Sequence, residues 1–245
     1  MKKYGFTLAE VLITLTIIGV VAAITTPSLN SNIQKNKVGP ALSKFINTLE
    51  NAHETMIANG DVDRLSDLVG KNADTYMDKL STYAKGMQET KTIADFAYKP
   101  ASYTGVTNSD PAPYYELTNY PEDTTTTGIY NFADGSSMAF YMYNPGTTLV
   151  KGAYKGNIAS VWFDINGFDK KPNKAGKDEF KFYIDNSGSV YPDGGKVKKS
   201  MIPEAYTWED ATNTRNACND KISVGTGVYC GASVVDNNFK VIYKY

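Results

Sequence analysis

One carboxylate stands inside an apolar run. In MKKYGFTLAEVLITLTIIGVVAAITTP, Glu10 is the only charged side chain between Phe6 and Ile24. A carboxylate deep in hydrocarbon costs on the order of 2.5–3.5 kcal/mol on insertion scales, so it calls for a partner that neutralises it. No cation lies within the run. Cleavage between Gly5 and Phe6 would supply one, because the new α-amino group would sit at one end of the segment, four residues from Glu10. The chemistry written here is therefore exposure of an amine followed by charge pairing.

The element that must position this pair is a helix. About nineteen residues from Phe6 to Ile24, at about 1.5 Å per residue, give roughly 28 Å, enough to cross a bilayer core. Lys2 and Lys3 form a short basic start, and Lys35 and Lys37 lie on the other flank. Residue by residue, the segment resembles the prepilin signal shared by type IV pilins and type II secretion pseudopilins. Lys2 and Lys3 match the basic leader, Gly5 precedes the scissile bond, Phe6 becomes the methylated N-terminus, and Glu10 follows. Gly19 and Pro27 fall where the family places a small residue and a helix kink. The resemblance implies that a prepilin peptidase removes residues 1–5 on the cytoplasmic side and N-methylates Phe6. It also implies a helix whose lower half packs on a sheet. Two other readings of the segment stay open: a secretory signal cut after Ala23, which would release a soluble protein, and a plain single-pass anchor.

Other residues with chemical potential are few. The stretch from Asp164 to Asp178 clusters Asp164, Asn166, Asp169 and Asp178 around Gly167, the oxygen-rich composition that a hard cation such as Ca²⁺ requires. Major pseudopilins carry a calcium loop in the same general region. The spacing is not that of an EF-hand, and Lys170, Lys171, Lys174 and Lys177 oppose a dication. The alternative is a turn whose Asp and Asn side chains bond their own backbone, with weak or no metal binding. Cys218 and Cys230 would pair in an oxidising compartment, closing a short loop that contributes about 3 kcal/mol in the chain-entropy model. This resembles the disulfide-bounded C-terminal region of many pilins; unpaired or metal-binding thiols are the other reading.

Catalytic groups are hard to assemble from this inventory. The single histidine, His53, excludes metal sites built on two histidines of one chain. No nucleophile elbow, P-loop or dinucleotide fingerprint occurs, although the acids leave a carboxylate pair conceivable. The expectation is no enzyme and no cofactor beyond a possible calcium. The 25 basic and 26 acidic side chains, net charge −1, give no electrostatic footprint for nucleic acid.

Past Pro27, Val38, Leu42, Phe45, Ile46, Leu49, His53 and Met56 recur at three- and four-residue steps, an amphipathic helix ending at Gly60. Gly39-Pro40 predicts a kink or short break in it. Helical stretches are expected over 63–69 and 74–87, then a Pro-, Tyr- and Thr-rich loop over 99–127. From Gly128 the period becomes that of strands, over 129–132, 138–143, 159–165, 180–184 and 190–191. Ala133-Asp134-Gly135-Ser136 and Asn144-Pro145-Gly146 form turns. The expected fold class is α+β: a long N-terminal helix packed on an antiparallel sheet, with a disulfide-bounded C-terminal region. The expected organisation is a leader (1–5), a transmembrane or filament-core helix (6–26) and one extracytoplasmic domain (27–245) that includes the amphipathic helix 27–59.

The expected function is structural, a subunit of a pilus-like or pseudopilus filament, held in the inner membrane before assembly. Its partners would be prepilin peptidase, other pilin or pseudopilin subunits and the assembly machinery. A membrane-anchored extracytoplasmic binding or adhesion module is the alternative.

Overall fold

The computed structural model describes residues 5–65, 73–91, 124–143, 157–168, 170, 175–192 and 230–243. Two helices, six strands and a short third helix follow in order: α1 (Leu8–Ala58), α2 (Ala73–Tyr83), β1 (Met87–Lys91), β2 (Thr124–Phe132), β3 (Ser137–Tyr143), β4 (Asn157–Asp164), β5 (Glu179–Asp185), β6 (Val190–Pro192) and α3 (Cys230–Asp236). The fold is α+β. Packing divides the chain into two units, Met1–Lys37 and Val38–Tyr245.

In the first unit every described residue is exposed except the half-buried Lys35. Its large apolar side chains, from Leu8 to Ile33, are exposed. The threonines do not leave polar groups unsatisfied there. The hydroxyls of Thr14, Thr16, Thr25 and Thr26 donate to the carbonyls of Val11, Leu12, Val21 and Ala22, satisfying themselves within the helix.

In the second unit the expected stripe is the buried stripe. Val38, Leu42, Phe45, Ile46, Leu49, His53 and Met56 are all buried, together with Gly39 and Ala52. The helix stops in a Schellman turn: Gly60, at φ 73°, is left-handed, its N–H donates to Ile57 O at 3.0 Å, and Asp61 N–H donates to Met56 O at 3.1 Å. Helix α1 continues past Pro27 as expected, and of the kink or short break expected at Gly39-Pro40 no break is present: α1 is one continuous helix through Pro40. A proline removes a single donor; next to Pro40 the flanking Val38 and Leu42 are fixed in the core.

The sheet is an antiparallel meander in the order β1-β2-β3-β4-β5-β6. Strand alternation decides which residues meet the helix. Val161 pairs with Phe182 and Phe163 with Phe180, and these four sit in the main core with Met138, Ala159 and Ile184. Phe45 of α1 enters among them, stacked on Phe163 at 4.1 Å between ring centroids and tilted against Phe182 at 5.1 Å. Each such side chain, fully buried, contributes about 1.5–3 kcal/mol. The other face is also covered: Ile129, Ala139 and Trp162 form a second cluster with Phe168 and Ala175, from the connection between β4 and β5. Hence β5 is buried along its whole length, and Lys181 lies 5.7 Å from the Trp162 ring centroid and 5.5 Å from that of Tyr183.

The expected strands are all present within a few residues. The helix expected over 74–87 ends at Tyr83, and residues from Met87 begin β1 instead. Of 63–69, residues 63–65 form bends and a turn and the rest lie outside the described residues, as do the turn at Asn144-Pro145-Gly146 and residues 99–123 of the expected loop over 99–127, whose last four residues, 124–127, are instead the start of β2. Neither β1 nor α3 is anticipated by the sequence pattern.

Candidate functional site

The residues around the Gly5–Phe6 junction are presented to the surroundings. Phe6 is 90% exposed, and no atom outside its chain neighbours lies within 4 Å of where a Cβ on Gly5 would be. Two residues further on the helix begins with a reciprocal cap. Thr7 N–H and its hydroxyl both donate to Glu10 Oε2 at 2.8 Å, and Glu10 N–H returns a bond to Thr7 Oγ1 at 3.3 Å. This is a capping box, in which the side chain of each residue accepts the otherwise orphaned N–H of the other. Glu10 thus has a local polar partner in Thr7. The signal was available as Thr7-Leu8-Ala9-Glu10, a Thr followed three residues later by Glu. Helix α1 is long and apolar enough to cross a membrane by length and composition.

The candidate cation loop resolves into a turn at its first member. Asp164 ends β4 fully buried, and its Oδ1 accepts the N–H groups of Asn166 and Gly167, each at 2.8 Å. Gly167, at φ 93°, has the backbone of Gly135 and the Ser137 hydroxyl against it, so no side chain fits there. Glu179 is the cross-strand partner of Asp164, and Asp178 accepts the Ile165 N–H on its carbonyl. Burial, with the Asp178 charge added, pushes the Asp164 carboxyl up to about 8 against the two amides and Lys170. Asp169 lies outside the described residues. Among the described residues no group of three or more His, Cys, Asp or Glu side chains is placed to hold a metal ion.

The same device recurs at two other turns. Asp134 Oδ1 accepts the Ser136 N–H and hydroxyl, and Asp185 Oδ1 accepts the N–H groups of Ser187 and Ser189 and the Ser187 hydroxyl. The aspartates at the strand ends are turn formers first.

His53 is fully buried at a three-way junction. Its Nδ1 lies 2.7 Å from Gly188 O and its Nε2 2.6 Å from the Tyr76 hydroxyl. A carbonyl only accepts, so Nδ1 carries the proton and Nε2 accepts from tyrosine. Burial lowers the imidazole from 6.5 to about 4, the Gly188 carbonyl and Asp185 opposing, and burial raises Tyr76. Neither group is poised as an acid or base near neutral pH. The pair ties α1 to α2 and to the β5–β6 turn.

Cys230 opens α3, fully buried, and no cysteine among the described residues is free. Cys218 lies outside the described residues, so the expected Cys218–Cys230 pair is not shown by them.

Comparison with known proteins adds one match. Residues 1–26 fit a family model described as the prokaryotic N-terminal methylation motif. No curated protein and no solved structure matches the chain.

Proposed function

We propose, from the premise that residues 1–26 carry the signature of type IV pilins and pseudopilins, that the chain is a structural subunit of a pilus-like or type II secretion pseudopilus filament. Prepilin peptidase removes residues 1–5 and Phe6 becomes the methylated N-terminus. The observation that carries this reading is the match of the motif to the start of a capped helix whose large apolar side chains from Leu8 to Ile33 are exposed. Such a surface needs lipid or copies of itself.

In this reading the helix first anchors the subunit in the inner membrane, the globular part lying outside the cytoplasm. Cleavage leaves the Thr7–Glu10 box intact, because both residues stay in the mature chain. Both bonds from Thr7 use Oε2 of Glu10, which leaves Oε1 for the Phe6 amine of a neighbouring subunit. That pairing cancels a buried charge and sets register as helices enter the filament core. Partners are the peptidase, fellow subunits and the assembly machinery. The role requires no catalysis, no metal and no nucleic acid, and we propose a Cys218–Cys230 disulfide as the fastening of the C-terminal region.

Mass spectrometry of the membrane-purified protein tests the processing: a chain starting at Phe6 with one added methyl is expected, and an intact Met1 or a start near Ile24 overturns it. Glu10→Gln should insert in the membrane yet be lost from sheared filaments by at least about tenfold; normal incorporation sinks the charge-pairing step. Calorimetry of Ca²⁺ with the full chain in detergent should show no binding at micromolar concentration. Mass mapping without reduction should find the two cysteines linked.

A further inference from the structure

The C-terminal segment crosses α1 at an unusual place. Beyond α3 the chain turns through Asn238 and Phe239, at φ 54° and 59°, two consecutive non-glycine residues in the left-handed region. Such backbone is held only where surrounding contacts over-determine it. The contact is on the page: a Cβ built on Gly39 would lie 1.7 Å from the Phe239 carbonyl oxygen and 2.8 Å from its carbonyl carbon. Only a hydrogen on the Gly39 Cα leaves room for that carbonyl, in the arrangement of a weak C–H···O contact. The next residue is Pro40, which has no N–H to give the helix and whose ring crowds the preceding turn. The segment therefore lies against the turn of α1 that is intrinsically least able to hold itself.

Both ends of the segment are fastened. On one side Asn237 donates its side-chain amide to Ser233 O at 2.7 Å and its N–H to Val234 O at 3.3 Å. On the other, Lys240 N–H closes a turn onto Asn237 O at 3.2 Å, and buried Tyr243 donates its hydroxyl to Gly176 O at 2.5 Å. Phe239 and Val241 pack on the main core between these points.

We infer that residues 237–243 are a latch that keeps α1 helical across Gly39-Pro40, and that releasing the latch opens this turn while the sheet stays folded. The turn is the place where a pull along the helix is first felt, and the latch sets whether it yields. This concerns the folded subunit and stands whether or not it enters a filament.

Hydrogen exchange of the full chain in detergent, with Gly39→Ala, tests it with a sign that separates two effects. By helix propensity alone the alanine should slow exchange of the 41–45 amides. By displacing the Phe239 carbonyl it should speed them, by at least about tenfold, with the amides of β4 and β5 unchanged. The double variant Gly39→Ala/Pro40→Ala, which restores the missing donor, should return the 41–45 amides to wild-type protection or better. Slower or unchanged exchange in Gly39→Ala overturns the latch. So does an equal rise in β4 and β5, which would make the segment part of the global fold and not a local catch.

Discussion

The two stretches of α1 are built from the same kinds of residue and meet opposite fates. From Leu8 to Ile33, leucines, isoleucines and valines cover all sides and stay exposed; from Val38 to Met56 the same types fall on one stripe and are buried. The first stretch is apolar all round, whereas the second interleaves its apolar residues with Lys44, Glu50 and Glu54. A helix apolar all round cannot be satisfied by one protein face and requires lipid or many neighbours, whereas a stripe is satisfied by one sheet. Stability of the folded second unit should therefore reside after Val38, and the earlier stretch should contribute little to it.

The sharpest way to break this contrast is Phe45→Ala, which removes the ring stacked on Phe163 at 4.1 Å. Denaturant unfolding of the full chain in detergent should show a loss of about 3–5 kcal/mol. A loss below 1 kcal/mol would move the core elsewhere. Next comes acid. The His53 imidazole is lowered from 6.5 to about 4 in the folded state, so its neutral form contributes fully above 6.5 and is lost as pH falls through 4. At about 1.4 kcal/mol per unit, that is roughly 3 kcal/mol, read as a falling unfolding midpoint between pH 7 and 4. In His53→Gln that dependence should flatten; persistence of the full slope would assign it to the carboxylates.

The solvent side of the same helix stretch should be much quieter. Lys44 meets Asp134 at 2.7 Å, but the side chains keep 64% and 39% of their exposure. Lys44→Ala should cost less than about 1 kcal/mol, and the difference should vanish in ~1 M salt. Smallest of all, Ile18→Ala in the bare stretch should leave the unfolding midpoint within about 0.5 kcal/mol of wild type. A large effect there would mean that the first stretch contributes to the fold of one subunit.

How much was legible depended on whether a residue speaks locally. The stripe from Val38 to Met56 and the Gly60 stop were legible because helical period and a left-handed cap are local rules. The strands around Phe163 and Phe182 announced themselves by alternation and β-rich composition. The Thr7–Glu10 box is written in the three-residue spacing of Thr7 and Glu10, a local rule separate from the charge of Glu10. Strand β1, Met-Gln-Glu-Thr-Lys, has too few apolar residues to declare itself and exists because it pairs with β2. The continuity of α1 through Pro40 ran against a local rule that tertiary packing overrode.

By itself the sequence determined that residues 1–26 carry the methylation motif and an apolar helical run, because both are written in consecutive residues. It also determined the helix-then-sheet order, through the change of period at Gly128. Only the tertiary structure decided that His53 is a neutral tie between Tyr76 and Gly188. It alone brought Phe239 onto Gly39. Those outcomes depend on partners far apart in the chain, up to 200 positions from Gly39 to Phe239 (239 minus 39), whose meeting no local pattern specifies.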